Sequence, residues 1–273
     1  TQGNDAWEDP IDLERGLLHA IRHLIQTQAV YGDGRFSHHF FGDAYGIRGM
    51  MAYLDFLKSH PDHAALNADL WGAISQSQIR SAALDFADMI VARQESSGAL
   101  PLGYSEHSKA RYVADGGQIT LGLSQISTLV GGTIRSQQYQ DLTKKFLTWA
   151  EGFRINTSTD RSFLLARKAE CVGWPYSGCT HNDSSGPKYS PHLASIDDDW
   201  FTVGHYGLGL SGSTTLKHGP SYAGADILAS QLIMTYLSSD QTLRDNADRN
   251  MEFYVEADYD AESYFQAEAL MWA

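Results

Sequence analysis

Apolar residues recur at helical spacing through most of this chain, and the spacing predicts its elements in order. Asp9-Pro10 reads as a helix start, a capping carboxylate before a proline in the first helical position. Leu17, Leu18, Ile21, Leu24 and Ile25 then form one apolar face. The loop Tyr31 to Phe36 ends that helix and leads through His38 and His39 to a second, expected to begin at Asp43. The second helix, DAYGIRGMMAYLDFL, is apolar over most of its circumference and carries Gly46 and Gly49 at close-packing spacing, which predicts burial. A third, one-sided helix is expected from about Ala65 to Gln94. A loop then leads to another buried, glycine-bearing helix, DGGQITLGLSQISTLV, from Asp115, which the Gly131–Thr133 turn stops. Gln137 to Phe153 is amphipathic, with Lys144, Lys145 and Glu151 on its wet side. After a long polar stretch Asp198 opens DDWFTVGHYGLGLSG. Gly224 to Leu237 is apolar, Thr242 to Val255 is amphipathic and Glu262 to Ala273 turns apolar again.

This order contains a coarse repeat: an amphipathic helix, a loop with glycine and aromatic residues, then an acid-started buried helix. It occurs near Asp43, Asp115 and Asp198, with weaker echoes near Asp226 and Glu262. The physical solution is an all-α fold, an α/α toroid, in which helical hairpins form a ring with buried helices inside and amphipathic ones outside. Residues 1–273 are read as a single domain with a long loop insertion at 155–197. The loops before the inner helices would all open on one end of the ring, where a site belongs. The start at Thr1 suggests a trimmed chain. The end at Ala273 falls inside an expected helix, so the ring would stand incomplete there if the natural chain continues.

Composition narrows the partners. With 20 basic and 33 acidic residues the net charge is −13, and no basic cluster offers a footprint for nucleic acid. No apolar run has the length of a membrane span, and no signal peptide is recognised. None of the glycines forms a strand-loop-helix phosphate cradle, so no nucleotide cofactor is expected, and no other cofactor or metal either.

The longest departure from helical patterning is Cys171 to Gly207, CVGWPYSGCTHNDSSGPKYSPHLASIDDDWFTVGHYG. Loops of this length inside a compact chain usually carry function. Cys171 and Cys179 are the chain's only cysteines. A disulfide between them is the favoured reading and implies a secreted or periplasmic protein; two separate thiols are the alternative. A zinc site with His181 has the wrong spacing for the usual short ligand motifs.

The segment ARQESSGALPLGYSEHSKARYVADGGQITLGL runs from outer helix through glycine-aromatic loop and acid to glycine-bearing inner helix. In this order it resembles the α/α-toroid carbohydrate-active enzymes. Unsaturated glucuronyl and rhamnogalacturonyl hydrolases look like this, with acids at inner-helix starts doing the chemistry. GWPYSG…SIDDDWFTV is similar to the toroidal pectate lyase group. Lanthionine and terpene cyclases share the general architecture. The Cys-His dipeptide of a cyclase zinc site is absent, because Thr180 separates Cys179 from His181.

Taken singly, Asp43, Asp115, Asp198 and Asp199 each read first as helix caps. Their convergence on one cavity supports glycoside hydrolysis, which needs one protonated and one ionised carboxyl group. Asp115, Asp198 and Asp199 are therefore the expected catalytic acids. His205 and Tyr206 are the residue types a lyase needs for β-elimination at a uronate. Arg111-Tyr112 stands before Asp115, where an arginine could hold a uronate bidentately or pair with a surplus acid. Trp174, Tyr176, Tyr104, Trp200 and Phe36 are loop or helix-start aromatics suited either to stacking on sugar rings or to packing loop on loop. Asp43, His39 and His181 complete the expected substrate-binding set. Hydrolase, lyase and a non-catalytic toroid that binds a glycan or peptide are the three functional readings, in that order. The oligomeric state is not legible.

Overall fold

The computed structural model describes the backbone of residues 10–37, 40–65, 74–100, 110–151 and 222–256, and short pieces between 154 and 216. Side chains are described for residues 13–37, 42–65, 74–100, 116–151 and 226–251. The described core is all-α, built from α1 (Pro10–Tyr31), α2 (Phe40–Ser59), α3 (Gln76–Arg93), α4 (Val113–Leu129), α5 (Ile134–Glu151), α6 (Tyr222–Ser238) and α7 (Gln241–Glu256). None of these is long and apolar enough to cross a membrane.

The alternation expected from the sequence is present. α2, α4 and α6 are the buried helices, and α4 packs most extensively on α6, α5 and α2. Every residue from Gly116 to Ser124 is buried. One core joins them through Ile47, Met50, Leu54, Ile119, Leu123, Ile126, Ile227 and Met234. The amphipathic helices close it from outside, α1 through Leu18 and Ile21, α3 through Ile79 and Phe86, α5 through Tyr139 and Phe146. Burying such residues is the main favourable term, roughly 1.5–3 kcal/mol for each large side chain.

Glycines set the closeness of this packing. A Cβ on Gly46 would stand 2.8 Å from Leu24 Cδ1, and one on Gly116 only 2.1 Å from the Phe146 ring. Two buried serine hydroxyls on the inner helices are satisfied within the helix: Ser124 donates to the Thr120 carbonyl at 2.7 Å and Ser230 to that of Asp226 at 2.8 Å.

The inner helices run in the same direction, because their contacts rise together along each chain segment. Tyr45 meets Gln118, and further along Ile47 lies beside Gly122. Gln118 meets Asp226, and further along Thr120 lies 3.4 Å from Ser230. The N-terminal ends of α2, α4 and α6 therefore share one end of the molecule.

Four expectations are corrected. The third helix does not run unbroken from Ala65, because residue 75 is an extended cap (φ −97°, ψ 153°). There the Ser75 side chain accepts from the Gln78 backbone while Gln78 Oε1 accepts from the Ser75 backbone at 2.8 Å, a capping box that starts α3 at Gln76. α2 begins at Phe40 and α4 at Val113, so Asp43 and Asp115 lie inside the first turn instead of preceding it. Phe36 is 1% exposed and stacks on Phe86 with centroids 5.5 Å apart, so it packs in the core and is no loop aromatic offered to a ligand. Finally, the 155–197 insertion is not wholly without regular backbone. Arg154–Asn156 pairs with Ser162–Leu164, and Ala169–Cys171 pairs antiparallel with both Lys188–Tyr189 and Ala110–Tyr112. The last pairing lays part of the insertion along the segment that enters α4.

Candidate functional site

A polar side chain inside an apolar helix costs free energy unless it is paired, so its presence asks for a reason. Three such side chains, one from each inner helix, are Arg48 in α2, Gln118 in α4 and Asp226 in α6. Because the three helices run together, these residues meet. Arg48 Nη1 lies 3.5 Å from Asp226 Oδ1, and their side chains are 18% and 3% exposed. Gln118, itself 2% exposed, donates from Nε2 to the Tyr45 hydroxyl at 3.0 Å. The Arg48 guanidinium stands over the Tyr45 ring, 5.6 Å from its centroid.

The electrostatics of the cluster are set by Asp226. Burial pushes its carboxyl up to about 7, against the opposing pull of Arg48 and of a hydrogen bond from Gln118. The order of these effects follows from geometry. The single arginine contact is long, and water that would otherwise solvate the carboxylate is excluded. The result is a carboxyl group that carries a proton near neutrality, beside a fixed cation, an amide and a phenol. Such a group can donate a proton to a leaving oxygen.

The expected residues stand as follows. Asp43 is 1% exposed and its Oδ2 accepts from the Phe36 backbone N–H at 3.1 Å, fastening the loop before α2. Asp115 lies in the first turn of α4, at the end where the cluster forms, but its side chain is outside the described atoms. Arg111 and Tyr112 belong to the strand entering α4, where Arg111 is in register with Glu170; their side chains too are outside the described atoms. His39, Tyr104, Trp174, Tyr176, His181, Asp198, Asp199, Trp200, His205 and Tyr206 lie outside the described residues. So does Cys179, the expected partner of Cys171.

Tyr45, Arg48, Gln118 and Asp226 were not among the residues expected from the sequence, although Asp226 marks one of the weaker echoes of the repeat. The available signal was a charged or amide side chain one to two turns inside a helix that is apolar over most of its circumference. Among the described residues no three histidine, cysteine or acidic side chains gather as a metal site. Two grooves on other faces, about 660 Å³ between α1 and α3 and about 540 Å³ beside α6 and α7, contain none of the four cluster residues. No family model, no curated protein and no solved structure matches the chain.

Proposed function

We propose that the chain is a carbohydrate-active enzyme that hydrolyses a glycosidic bond with paired carboxyl groups on an α/α toroid. The observation that supports it best is Asp226, a buried carboxyl with its protonation pushed up to about 7, set where three parallel inner helices begin. In this reading Asp226 gives its proton to the leaving glycosidic oxygen, while a second, ionised carboxylate activates water or attacks the sugar. Asp115, from the first turn of α4 at the shared end, is one candidate for the second acid; Asp198 and Asp199 are the others. A crowd of acids at one end also favours keeping one of them protonated. The toroid supplies the geometry, since loops before inner helices would ring the same opening.

The test is release of reducing ends from a panel of neutral and uronate-containing oligosaccharides, with absorbance followed in the near ultraviolet. New reducing ends without a new chromophore, lost in Asp226→Asn and in at least one of Asp115→Asn, Asp198→Asn and Asp199→Asn, is the expected result. A conjugated double bond in the product would move the assignment to β-elimination with His205 and Tyr206. Binding without turnover of any kind would leave a glycan-binding toroid.

A further inference from the structure

α6 is closed over its middle and open further along. Residues 226–231 are all buried, whereas from Leu232 onward the helix borders the groove of about 540 Å³ that it shares with α7. Leu232 and Ile233 line this groove together with Ala247 of α7. Tyr236 stands beside them with 87% of its surface exposed, the most exposed of the large apolar side chains among the described residues. Tyrosine suits a protein interface, since it buries a large ring while its hydroxyl tolerates water. A hollow lined by apolar residues and a ring standing clear beside it both gain from removal of water.

Two charges border the same groove. Arg244 and Asp248 of α7 are exposed and lie one helical turn apart on one side of the helix. Neither side chain has a hydrogen-bond or ion-pair partner among the described residues. Their neighbours are occupied: Asp240 pairs with Lys144 at 3.4 Å, Asp245 accepts from Gln241 at 2.6 Å and Arg249 bonds to Asn246. The chain as a whole carries −13, which opposes self-association, but at this groove one cation and one anion cancel. The groove therefore presents a ring next to a hollow and a cation one turn from an anion. Each feature has its complement on the same surface, and such a surface is satisfied by a copy of itself turned about a two-fold axis.

We propose that this groove is the interface of a symmetric dimer of the chain. Tyr236 of each copy enters the groove of the other against Leu232 and Ile233, and Arg244 of each copy faces Asp248 of the other. Tyr236 lies ten residues beyond Asp226 on α6, about 15 Å along the helix. The interface thus leaves open the end where the inner helices begin, and it stands whether or not the chain hydrolyses a glycosidic bond.

The test is sedimentation velocity on the full chain over a roughly hundredfold range of concentration, because dimerisation follows mass action. The wild type should pass from one chain mass to twice that mass. Tyr236→Ser removes the ring and should weaken the dimer. Arg244→Asp and Asp248→Arg each place like charges opposite one another twice in the dimer, and each should weaken it by roughly tenfold or more. The double variant Arg244→Asp/Asp248→Arg restores both pairs in reverse and should recover the dimer. Melting curves establish that each variant is folded, and Tyr236→Ser, which changes no charge, carries the test if a single charge reversal fails to fold. A wild type that stays monomeric at every concentration overturns the proposal and leaves the groove to another part of the chain or to a different partner. A dimer indifferent to Tyr236→Ser and to both single reversals overturns it as well, since the contact then lies elsewhere. Loss in the single reversals without recovery in the double overturns the two-fold pairing.

Discussion

Two groups in this molecule use the same three residue types and put the proton in opposite places. On the outside, Asp88 of α3 is clasped by Arg135 and Tyr139 of α5. Arg135 Nε reaches both carboxylate oxygens at 3.2 and 3.1 Å, its Nη2 bonds one of them as well, and the Tyr139 hydroxyl donates to the other at 2.6 Å. Inside, Asp226 has one long arginine contact at 3.5 Å, and the tyrosine of the group bonds to Gln118 instead. In the clasp the phenol is pushed well above its ordinary value, first by its burial and then by the bond to Asp88, so the proton stays on Tyr139. In the inner group burial dominates and the carboxyl is pushed up to about 7. The difference teaches that identity of residues does not decide who holds a proton. Donor count and access to water do. Asp88 and Arg135 are each about two-fifths exposed, at 43% and 41%, whereas Asp226 is 3% exposed.

The strongest way to break the comparison is to remove each carboxylate's charge at constant shape. Asp226→Asn should lower turnover by roughly 10²–10⁴-fold if that group is the general acid. Asp88→Asn should leave turnover within about twofold, because the clasp joins two outer helices away from the shared end. Parallel melting curves separate catalytic loss from unfolding. Equal turnover in both variants would reduce Asp226 to a buried structural acid.

The same contrast should appear in how stability follows pH. The folded Asp226 holds its proton more tightly than the unfolded chain does, so the folded state binds more protons between about pH 4 and 7. Stability contributed by this group is present at low pH and is lost as pH rises through that window. The full loss is at most about 4 kcal/mol. Denaturant titrations at pH 5 and pH 8 should show wild type losing stability relative to Asp226→Asn. A pH dependence identical in the two proteins would mean that the Asp226 carboxyl is not raised. Arg48→Met removes the cation that, among the described residues, lowers this carboxyl, so the alkaline limb of the pH–rate profile should move upward; a downward move would contradict the pairing.

How much of this was legible in the sequence follows from periodicity. The 3.6-residue pattern is dense in α2, α4 and α6; of the glycines read as close-packing, Gly46 does abut Leu24 closely, whereas a Cβ on Gly49 would meet Leu17 at an ordinary 3.6 Å. The start of α3 was misplaced because the apolar pattern runs through it, and only the Ser75–Gln78 exchange shows where the helix begins. Phe36 was misassigned because a loop position says nothing of the depth at which Phe86 waits for it. The sequence drew attention to the end of the fold where the polar cluster lies, and not to the side chains that form it. Acids at helix starts draw attention because they are common caps. Arg48, Gln118 and Asp226 lie one to two turns inside their helices, and what joins them is lateral packing between segments up to 178 residues apart. No local pattern encodes that neighbourhood.

The smallest effect sharpens the outer half of the comparison. Tyr139→Phe removes one hydroxyl from the clasp and leaves a ring that is fully buried in the core. The lost bond at 2.6 Å goes to a carboxylate that retains Arg135 and remains partly in water, which replaces part of what is lost. Net contributions of single hydrogen bonds cluster near 1 kcal/mol, with bonds to charged groups somewhat higher, so a loss of about 1 kcal/mol is expected. The cost should be the same at pH 6 and pH 9, because the Tyr139 phenol keeps its proton throughout that range. Turnover should be unchanged. A pH-dependent cost would show that the phenol ionises in the folded protein, and the clasp would then differ from the inner group in degree instead of in kind.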